Sequence, residues 1–241
     1  MASVPGVTED SWLSGILGRP AYRVSVKELL ADGANDGFIE RLTSGPLFAY
    51  SKVATDDVAS VHFLQSVGFR LVDTGVILEK PIGTPGPVPQ GVRLARAGDR
   101  AAVKNVARES FEFSRFHLDP CIPQDLANRV KEAWADSYFA VTRGDAMVVK
   151  DVDGTVPAFL AMLLDESQRT ATIDLIAVSP QHRGHRHATD MIRFAEAQYA
   201  GCARLRVGTQ IANMPSLHMY HALGFRLAES SYVFHYHHSA S

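Results

Sequence analysis

A tyrosine in a short predicted helix is the residue whose chemistry stands out in this sequence. Leu217, Tyr220 and Leu223 recur at helical spacing, after Asn213 as a helix cap and before Gly224 as a terminator. A phenol has a pKa of about 10, so a tyrosine can donate a proton to a departing group. The same spacing is also typical of a tyrosine that only fills a core, and both interpretations stay open at this point.

A loop of small and basic residues follows a predicted buried strand. Residues 179–186, with Arg183, Gly184 and Arg186, lead into a predicted helix that begins at about His187. The first N–H groups of a helix have no partner inside it and lie at the positive end of its dipole, so they suit a phosphate. The pattern predicts an anion-binding loop, and a plain surface turn is the alternative.

The sequence identifies a proton acceptor less clearly. Asp174 lies on the strand before the loop, but side chains alternate across a strand and the sequence does not decide its face. Asp174 is therefore either a general base or a partly exposed structural carboxylate. His117 and His218 are weaker candidates, and Arg115 either contacts a phosphate or is a solvated loop residue. We expect no metal site, because the two cysteines form no close-spaced pair.

The chain repeats one pattern of elements. Residues 68–71 and 224–227 both read Gly-Phe-Arg-Leu, and each follows a β-rich run, a polar break and a predicted helix. The copies differ where chemistry is expected, because the second has Tyr220 where the first has Leu64. We therefore predict that the second copy acts and the first is a relic or scaffold.

A stretch rich in proline and glycine predicts the domain boundaries. Residues 81–90 contain four prolines and two glycines and are predicted to be a linker between residues 1–80 and 91–241. The elements predicted for the second part run β-α-α-β-β-β-α-β-α-β. This order favours an α+β fold with a mixed, mostly antiparallel sheet and helices on both faces.

Bulk composition excludes several classes of function. The chain has 241 residues, 21% of them charged, with a net charge of −2, so we expect no nucleic-acid partner. We find no apolar run in the sequence long enough for a membrane span, and no basic segment followed by an apolar stretch that would indicate a secretory signal. We therefore expect no membrane partner. The two cysteines fit a reducing cytoplasm, which is the predicted location.

Taken together, the loop and the tyrosine helix resemble the GNAT superfamily of N-acetyltransferases. Its pyrophosphate loop reads (Arg/Gln)-x-x-Gly-x-(Gly/Ala); residues 183–188 match it with Arg186 in place of glycine, and the alternative register, 181–186, ends on Arg186. The family's later pattern, Asn-x-x-(Ala/Ser)-x-x-(Leu/Met)-Tyr-x-x-x-Gly-Phe, is met by residues 213–225. Over most of the chain a narrower likeness to dTDP-fucosamine N-acetyltransferases includes residues 114–116 and 205–210.

The resemblance implies a GNAT-like domain preceded by a partial GNAT-like domain that binds no acetyl-CoA. It implies acetyl transfer from acetyl-CoA to a small-molecule amine, which could be carried on a nucleotide-linked amino sugar, with Tyr220 as acid and Asp174 as candidate base. It also implies a strand that bulges and separates from its neighbour near Val207, so that the Ile176 N–H meets the thioester oxygen. The cofactor-binding residues implied are Ile176, Ala177, Val178, Arg183, Gly184, His185, Arg186, His187, Ala188 and Asn213.

Two other functions stay open. One is a catalytically silent CoA-binding or scaffold protein, which the departure at Arg186 keeps in consideration. The other is an acetyltransferase that acts on a protein or peptide amine. A homodimer is also left open.

Overall fold

The structure is a computed structural model that describes residues 4–31, 35–84, 86–140 and 143–238, apart from the side chains of residues 35, 36 and 41. Its helices and strands are, in chain order, β1 (Val7–Glu9), α1 (Ser11–Leu17), β2 (Ala21–Val24), α2 (Val26–Ala31), α3 (Asn35–Thr43), β3 (Leu47–Ala54), α4 (Val58–Ser66), β4 (Arg70–Pro81), β5 (Val92–Leu94), α5 (Arg100–Glu109), α6 (Gln124–Phe139), β6 (Ala146–Val152), β7 (Thr155–Asp165), β8 (Thr170–Val178), α7 (His187–Gln198), β9 (Arg204–Gln210), α8 (Met214–Ala222) and β10 (Arg226–His238).

Packing divides the chain into two compact units. The first comprises Met1–Gly75, Ser114–Leu126 and Glu229–Ser241, and the second comprises Val76–Phe113 and Ala127–Ala228. The sequence division at residues 81–90 rests on composition and repetition rather than on packing, and it stays a prediction. Pro85 of that stretch lies outside the described residues.

The first unit covers one face of its strands with helices. Its strand order is β1-β2-β3-β10-β4, with β2 and β3 parallel and β3 and β10 antiparallel. Leu29 of α2, Phe38 of α3 and Leu64 of α4 are buried against Ala49 of β3 and Phe234 of β10. Burial of this apolar surface holds the three helices on the sheet, at about 25 cal/mol for each Å² removed from water.

The second unit has helices on both faces of its strands. Its order is β4-β9-β8-β7-β6-β5; the pairs from β5 to β8 are antiparallel, and β8 and β9 are parallel. Ile173 and Leu160 pack with α7 on one face, whereas Leu175 and Phe159 pack with α5 on the other. The predicted mixed α+β sheet is confirmed.

The repeated sequence pattern folds into the same local structure twice. Asp57 caps α4 by accepting a hydrogen bond from the Ser60 N–H at 3.1 Å, and Asn213 caps α8 in the same way, from the Ser216 N–H at 3.3 Å. Gly68 and Gly224 follow the two helices at φ angles of +91° and +87°, which favour glycine. At the matching core position Leu64 and Tyr220 are both buried. The copies therefore share their backbone chemistry and differ in one buried side chain.

Several predicted elements differ from the structure. The sequence predicts one short helix between a strand at residues 23–26 and the β-rich run at 47–52, but the structure has two helices there, α2 and α3. No sequence pattern predicted β1 or α1. Asp153-Gly154 is a sequence typical of a two-residue hairpin turn, and the structure confirms this: the two residues join β6 to β7 with φ angles of 50° and 80°. Among the residues that the structure describes, no helix is both long enough and apolar enough to cross a membrane.

Candidate active site

A bulge in β8 sets the geometry of the candidate site. In the antiparallel register Ala161 pairs with Leu175 and Met162 pairs with Ile173, so Asp174 is an extra residue without a partner on β7. An extra residue bends its strand and turns two consecutive side chains to one face. Asp174 and Leu175 accordingly both reach the face that α5 and α6 cover.

Beyond the bulge, β8 separates from β9. Parallel pairing between them ends at Ile173 and Val207, although β8 continues to Val178 and β9 to Gln210. The separation expected near Val207 is confirmed. It leaves one edge of β8 unpaired over its last residues, and an extended molecule with hydrogen-bonding groups could lie along that edge.

The backbone of two β8 residues points to this unpaired edge. The Ser179 N–H donates to the Pro157 carbonyl at 2.9 Å, which marks the side of the strand that bonds to β7. Bonding direction alternates along an antiparallel pair, so the groups of Ile176 and Val178 point away from β7. The sequence analysis assigned these same two residues to the cofactor.

The loop after β8 carries a run of free backbone donors. The N–H groups from Gly184 to Thr189 have no hydrogen-bond acceptor among the described residues. This series of free N–H groups extends into the first turn of α7. The Arg183 side chain is held by Glu112 at 2.9 Å and by the Ser110 carbonyl at 2.9 Å. Arg183 therefore fixes the loop through its side chain, while the loop's main chain stays available to an anion.

Two residues of this loop have left-handed backbone conformations. Gly184 has φ +83° and Arg186, directly before α7, has φ +62°. These are the two positions at which the alternative registers of the family pattern require glycine. A positive φ is the physical reason for that requirement, and Arg186 meets it with an L side chain at a cost of about 1 kcal/mol or more.

The first residue of α7 has an unsatisfied side-chain nitrogen. The His187 Nδ1 is buried and has no hydrogen-bond partner in the described structure, although its ring stacks on His185 at 5.8 Å between centroids. Burial and the positive charge of Lys150 lower the pKa of His187, so the ring is neutral at pH 7. A buried polar atom without a partner beside free amides fits a site built for a polar ligand.

Tyr220 lies in the apolar cluster on the α7 side of the second unit. The residue is 2% exposed and its ring meets Phe225 edge to face at 5.3 Å. Among the described residues the Tyr220 hydroxyl has no hydrogen-bond partner, and burial raises its pKa well above the ordinary tyrosine value. The phenol is thus protonated near neutral pH, with its proton not committed to another residue.

Asp174 has a full set of hydrogen-bond donors. Its carboxylate accepts from Trp134 Nε1 at 2.8 Å, from the Tyr138 hydroxyl at 2.7 Å and from Arg143 Nε at 2.7 Å. Burial alone would raise the Asp174 pKa, but the bonds from Arg143, Tyr138 and Trp134 outweigh it and lower the pKa. These three donors were not singled out in the sequence, since nothing in the spacing of Trp134 and Tyr138 on α6, or in the position of Arg143 after it, marks them as partners of a distant strand.

The structure brings some of the predicted site residues together and not others. Ile176 and Val178 contact the same apolar cluster as Tyr220, on the α7 face. Asp174 lies on the opposite face with α6, so it does not approach Tyr220. Asn213 is half-buried as the cap of α8 and also donates to Thr209 Oγ1 at 3.3 Å. Its helix-capping role is clear, and a cofactor contact stays a prediction.

The remaining candidates lie elsewhere. His218 is exposed on α8 of the second unit. Arg115 and His117 belong to the first unit, where His117 Nδ1 lies within hydrogen-bonding distance of Ser114 Oγ. Neither lies on β8 or in the loop before α7.

One group of side chains in the described ranges has the spacing of metal ligands. Asp119, Cys121 and His237 of the first unit offer atoms within 4.8 Å of one another. Both His237 nitrogens are occupied, because Nδ1 accepts from Arg19 at 2.8 Å and Nε2 donates to Asp119 at 2.7 Å. The group is therefore a hydrogen-bonded network as it stands, and it carries no metal proposal.

Comparison with known proteins agrees with this geometry. The chain is 27% identical over 195 residues to the spore coat polysaccharide biosynthesis protein SpsD of Bacillus subtilis, an alignment that covers 78% of this chain and 66% of that protein. It is 23% identical over 211 residues to a dTDP-fucosamine acetyltransferase of Escherichia coli O6:H1, covering 83% and 91%. The chain thus spans slightly less than two thirds of the length of the first of these relatives.

Solved structures and a family model identify the fold. A GCN5-related N-acetyltransferase from Sphaerobacter thermophilus superimposes with a TM-score of 0.60 at 12% identity, covering 90% of this chain and 72% of that one, which establishes a shared fold. A model of the acetyltransferase (GNAT) family matches residues 106–225. Those residues form a GNAT acetyltransferase domain, and through it the chain belongs to the GNAT family.

Proposed function

We propose that this chain is an acetyl-CoA-dependent N-acetyltransferase that acts on a primary amine. One observation carries the proposal: the N–H groups from Gly184 to Thr189 lack acceptors in the described structure and adjoin the open edge of β8. A diphosphate and an extended amide-containing arm are what these two sets of donors fit. Acetyl-CoA has both parts, and it supplies an acetyl group activated as a thioester.

The residues that would hold acetyl-CoA follow from the same observation. Main-chain donors from Gly184 to Ala188 would bind the diphosphate, and the main chain of Ile176 and Val178 would bind the pantetheine arm. The Ile176 N–H, directed at the open edge, would stabilise negative charge as it develops on the thioester oxygen. The orphaned His187 Nδ1 gives the loop one more polar atom for this ligand.

Tyr220 is the proposed proton donor. Its hydroxyl is uncommitted in the described structure, and its raised pKa keeps it protonated at the pH where an amine must lose a proton to attack. A raised pKa also makes the phenol a weaker acid than a thiol. The departing thiolate is therefore stabilised mainly by a hydrogen bond from the Tyr220 hydroxyl, and less by complete transfer of the proton.

Asp174 fits a structural role better than that of general base. A base must have a lone pair free to accept a proton, and the Asp174 carboxylate already accepts from Trp134, Tyr138 and Arg143. We propose that this ion pair and its two aromatic donors fix the bulge, and with it the direction of the Ile176 N–H.

The acceptor class rests on the named relatives. One acts in spore coat polysaccharide biosynthesis and the other is named for acetylating dTDP-fucosamine. These names favour a small-molecule amine, in particular an amino sugar linked to a nucleotide. A cytoplasmic location and the absence of a metal requirement stay predictions. The alternative is a protein that binds CoA without catalysis, which the loop geometry fits equally well.

Binding of acetyl-CoA can be tested with two matched glycine substitutions. Gly184 and Gly154 have φ of +83° and +80°, and neither has an atom within 4 Å of an added Cβ, so the same strain is expected from valine at each. Gly184→Val is expected to weaken acetyl-CoA binding about tenfold or more, because its side chain would cover the loop donors. Gly154→Val, in the β6–β7 turn, is expected to bind as the unchanged protein does.

Calorimetry measures these affinities, with one acetyl-CoA per chain expected. Equal affinity in both variants would contradict the proposed loop, and two molecules per chain would contradict a first unit without a cofactor site. Thiol release with a panel of amines, amino-sugar nucleotides and peptides then separates an enzyme from a silent binding protein.

The role of Tyr220 predicts a specific kinetic defect. Tyr220→Phe is expected to lower kcat about 10²- to 10⁴-fold, because one positioned proton donor has that effect, and to leave acetyl-CoA affinity unchanged. Tyr199→Phe is a matched control, since it removes a hydroxyl from the same cluster, one that bonds Asp145. Steady-state kinetics and thermal denaturation of both variants decide the matter, and full activity of Tyr220→Phe would remove Tyr220 from the mechanism.

The role of Asp174 predicts a defect in stability that depends on pH. Asp174→Asn is expected to lower the free energy of unfolding by roughly 1–3 kcal/mol at pH 7, because Arg143 loses its buried partner. The folded-state pKa of Asp174 is depressed, so the stabilisation is present above the unfolded pKa of 3.8 and is lost as pH falls below it. The difference between the two proteins should therefore shrink in acid.

Urea unfolding between pH 3 and pH 8 measures this difference, with Glu166→Gln, an exposed carboxylate in the turn between β7 and β8, as control. The pH profile of kcat supplies the opposite outcome. If Asp174→Asn abolishes the acidic limb of that profile while stability is unchanged, Asp174 is the base and the structural role is wrong.

A further inference from the structure

One face of the first unit's sheet carries cationic side chains. Arg23 on β2 lies opposite Tyr50 on β3, and Lys52 follows Tyr50 on the same face of that strand. Ala49 and Val53, on the other face of β3, pack with the helices α2 to α4. The strands therefore separate an apolar face from a face with two cationic side chains, both exposed.

A third cation is held rigidly over this face. The Arg115 guanidinium stacks on Tyr50 at 4.0 Å and on Phe116 at 4.3 Å, measured to the ring centroids. Stacking on two rings holds the plane of a guanidinium group and leaves its N–H edges available. Arg115 as a whole residue is half-buried, and protein atoms surround its guanidinium group.

A chain of hydrogen bonds through His235 to Asp119 orients the Arg115 side chain. Arg115 Nη1 lies 3.2 Å from His235 Nε2, and His235 Nδ1 lies 2.6 Å from Asp119 Oδ2. Arginine only donates, so Nε2 accepts and the proton sits on Nδ1, which donates to Asp119. Burial lowers the pKa of His235 to about 4, and the ring is neutral at pH 7. This arrangement supports the direction of Arg115 in the way that neighbouring groups support a binding residue.

The cations on this face have no ion-pair partner among the described residues. No carboxylate in those ranges lies within 4.0 Å of the charged nitrogens of Arg23, Lys52 or Arg115. Asp10 is committed to the cap of α1 and to the Tyr50 hydroxyl, at 2.9 Å each. Burial raises the pKa of Asp73 to about 6, so this carboxylate is still mostly ionised at pH 7; it attracts Lys52 and Arg115 but forms no ion pair with either.

The cations also repel one another. Burial and the charges of Arg115 and Arg23 lower the pKa of Lys52, and burial lowers the pKa of Arg115 to about 10. The Lys52 side chain reaches solvent, yet surrounding protein atoms displace much of the water near its ammonium group. An anion with several oxygens would relieve both the repulsion and the lost hydration.

We propose that Arg23, Lys52 and Arg115 form a binding site on the first unit for the diphosphate group of a small-molecule ligand. A planar guanidinium that is already oriented suits bidentate contact with phosphate oxygens, and two exposed cations on the same sheet face supply the remaining charge. Its three residues belong to the first unit, whereas the loop before α7 belongs to the second, and binding at this site does not depend on acetyl transfer. It gives the first unit, which lacks the tyrosine of the repeat, a binding role of its own.

Titration of the whole chain with inorganic pyrophosphate tests the site without any acetyl donor. The double variant Arg23→Gln/Lys52→Gln is expected to lose one pyrophosphate site, or to bind there about 10- to 100-fold more weakly. The control Lys27→Gln/Arg70→Gln removes the same charge from exposed positions of the same unit and is expected to bind as the unchanged protein does. All four substituted side chains are exposed, so each variant is expected to fold, which thermal denaturation checks.

The outcomes separate this site from the acetyl-CoA site. Pyrophosphate bound at the loop before α7 is retained in both double variants, so failure of either site leaves the other measurable. Unchanged affinity and stoichiometry in Arg23→Gln/Lys52→Gln would overturn the proposal, as would an equal loss in the control. Titrations with uridine diphosphate and orthophosphate then identify the kind of ligand that carries the phosphate groups. Tighter binding of uridine diphosphate than of pyrophosphate indicates a nucleotide-linked ligand. Tighter binding of pyrophosphate or orthophosphate indicates a free phosphate anion.

Discussion

The separation of two parallel strands is the constraint on which the candidate active site depends. β8 and β9 pair as far as Ile173 and Val207 and then part, and the bulge at Asp174 lies at that point. Without the extra residue, the pairing with β9 would continue and consume the Ile176 and Val178 N–H groups. One residue inserted in the register thus converts part of a closed sheet into an edge with free donors.

The same constraint explains why a charged residue lies in the middle of the sheet. Asp174 occupies the bulge, and its carboxylate is held by Arg143 and two aromatic donors on α6. A buried charge is costly unless it is paired and hydrogen-bonded, and this one is both. Because removal of any partner leaves an unpaired group, the network favours one arrangement of the strand over others.

Comparison of the two copies of the repeat separates folding from function. Both copies keep a side-chain cap at the start of the helix and a glycine at positive φ at its end, since these satisfy backbone groups that any such helix leaves free. Leu64 and Tyr220 are each buried in an apolar cluster. Tyr220 differs because it also carries a hydroxyl with no hydrogen-bond partner in the described structure. The first copy retains the structural part of the pattern and lacks the uncommitted proton.

Local signals predicted more of the fold than of the site. The β6–β7 turn, the start of α7 and the mixed sheet follow from glycine positions, prolines and hydrophobic periodicity, which act over a few residues. The face occupied by Asp174 could not be predicted, because one bulged residue reverses the alternation and the sequence does not show which residue of the strand is the extra one. The partners of Asp174 and the chain from Arg115 to Asp119 join residues far apart in sequence, and only tertiary packing decides such contacts.

Several groups without hydrogen-bond partners lie in and beside the loop before α7, and they bear on its role. Arg186 adopts a left-handed conformation that costs an L residue about 1–2 kcal/mol, and the N–H groups around it and the His187 Nδ1 lack partners in the described structure. The Asp174 network, on the same strand a few residues earlier, is fully satisfied. Strain and orphaned donors persist where a ligand can compensate for them. The loop is therefore less stable than its sequence could make it, and we attribute that difference to binding.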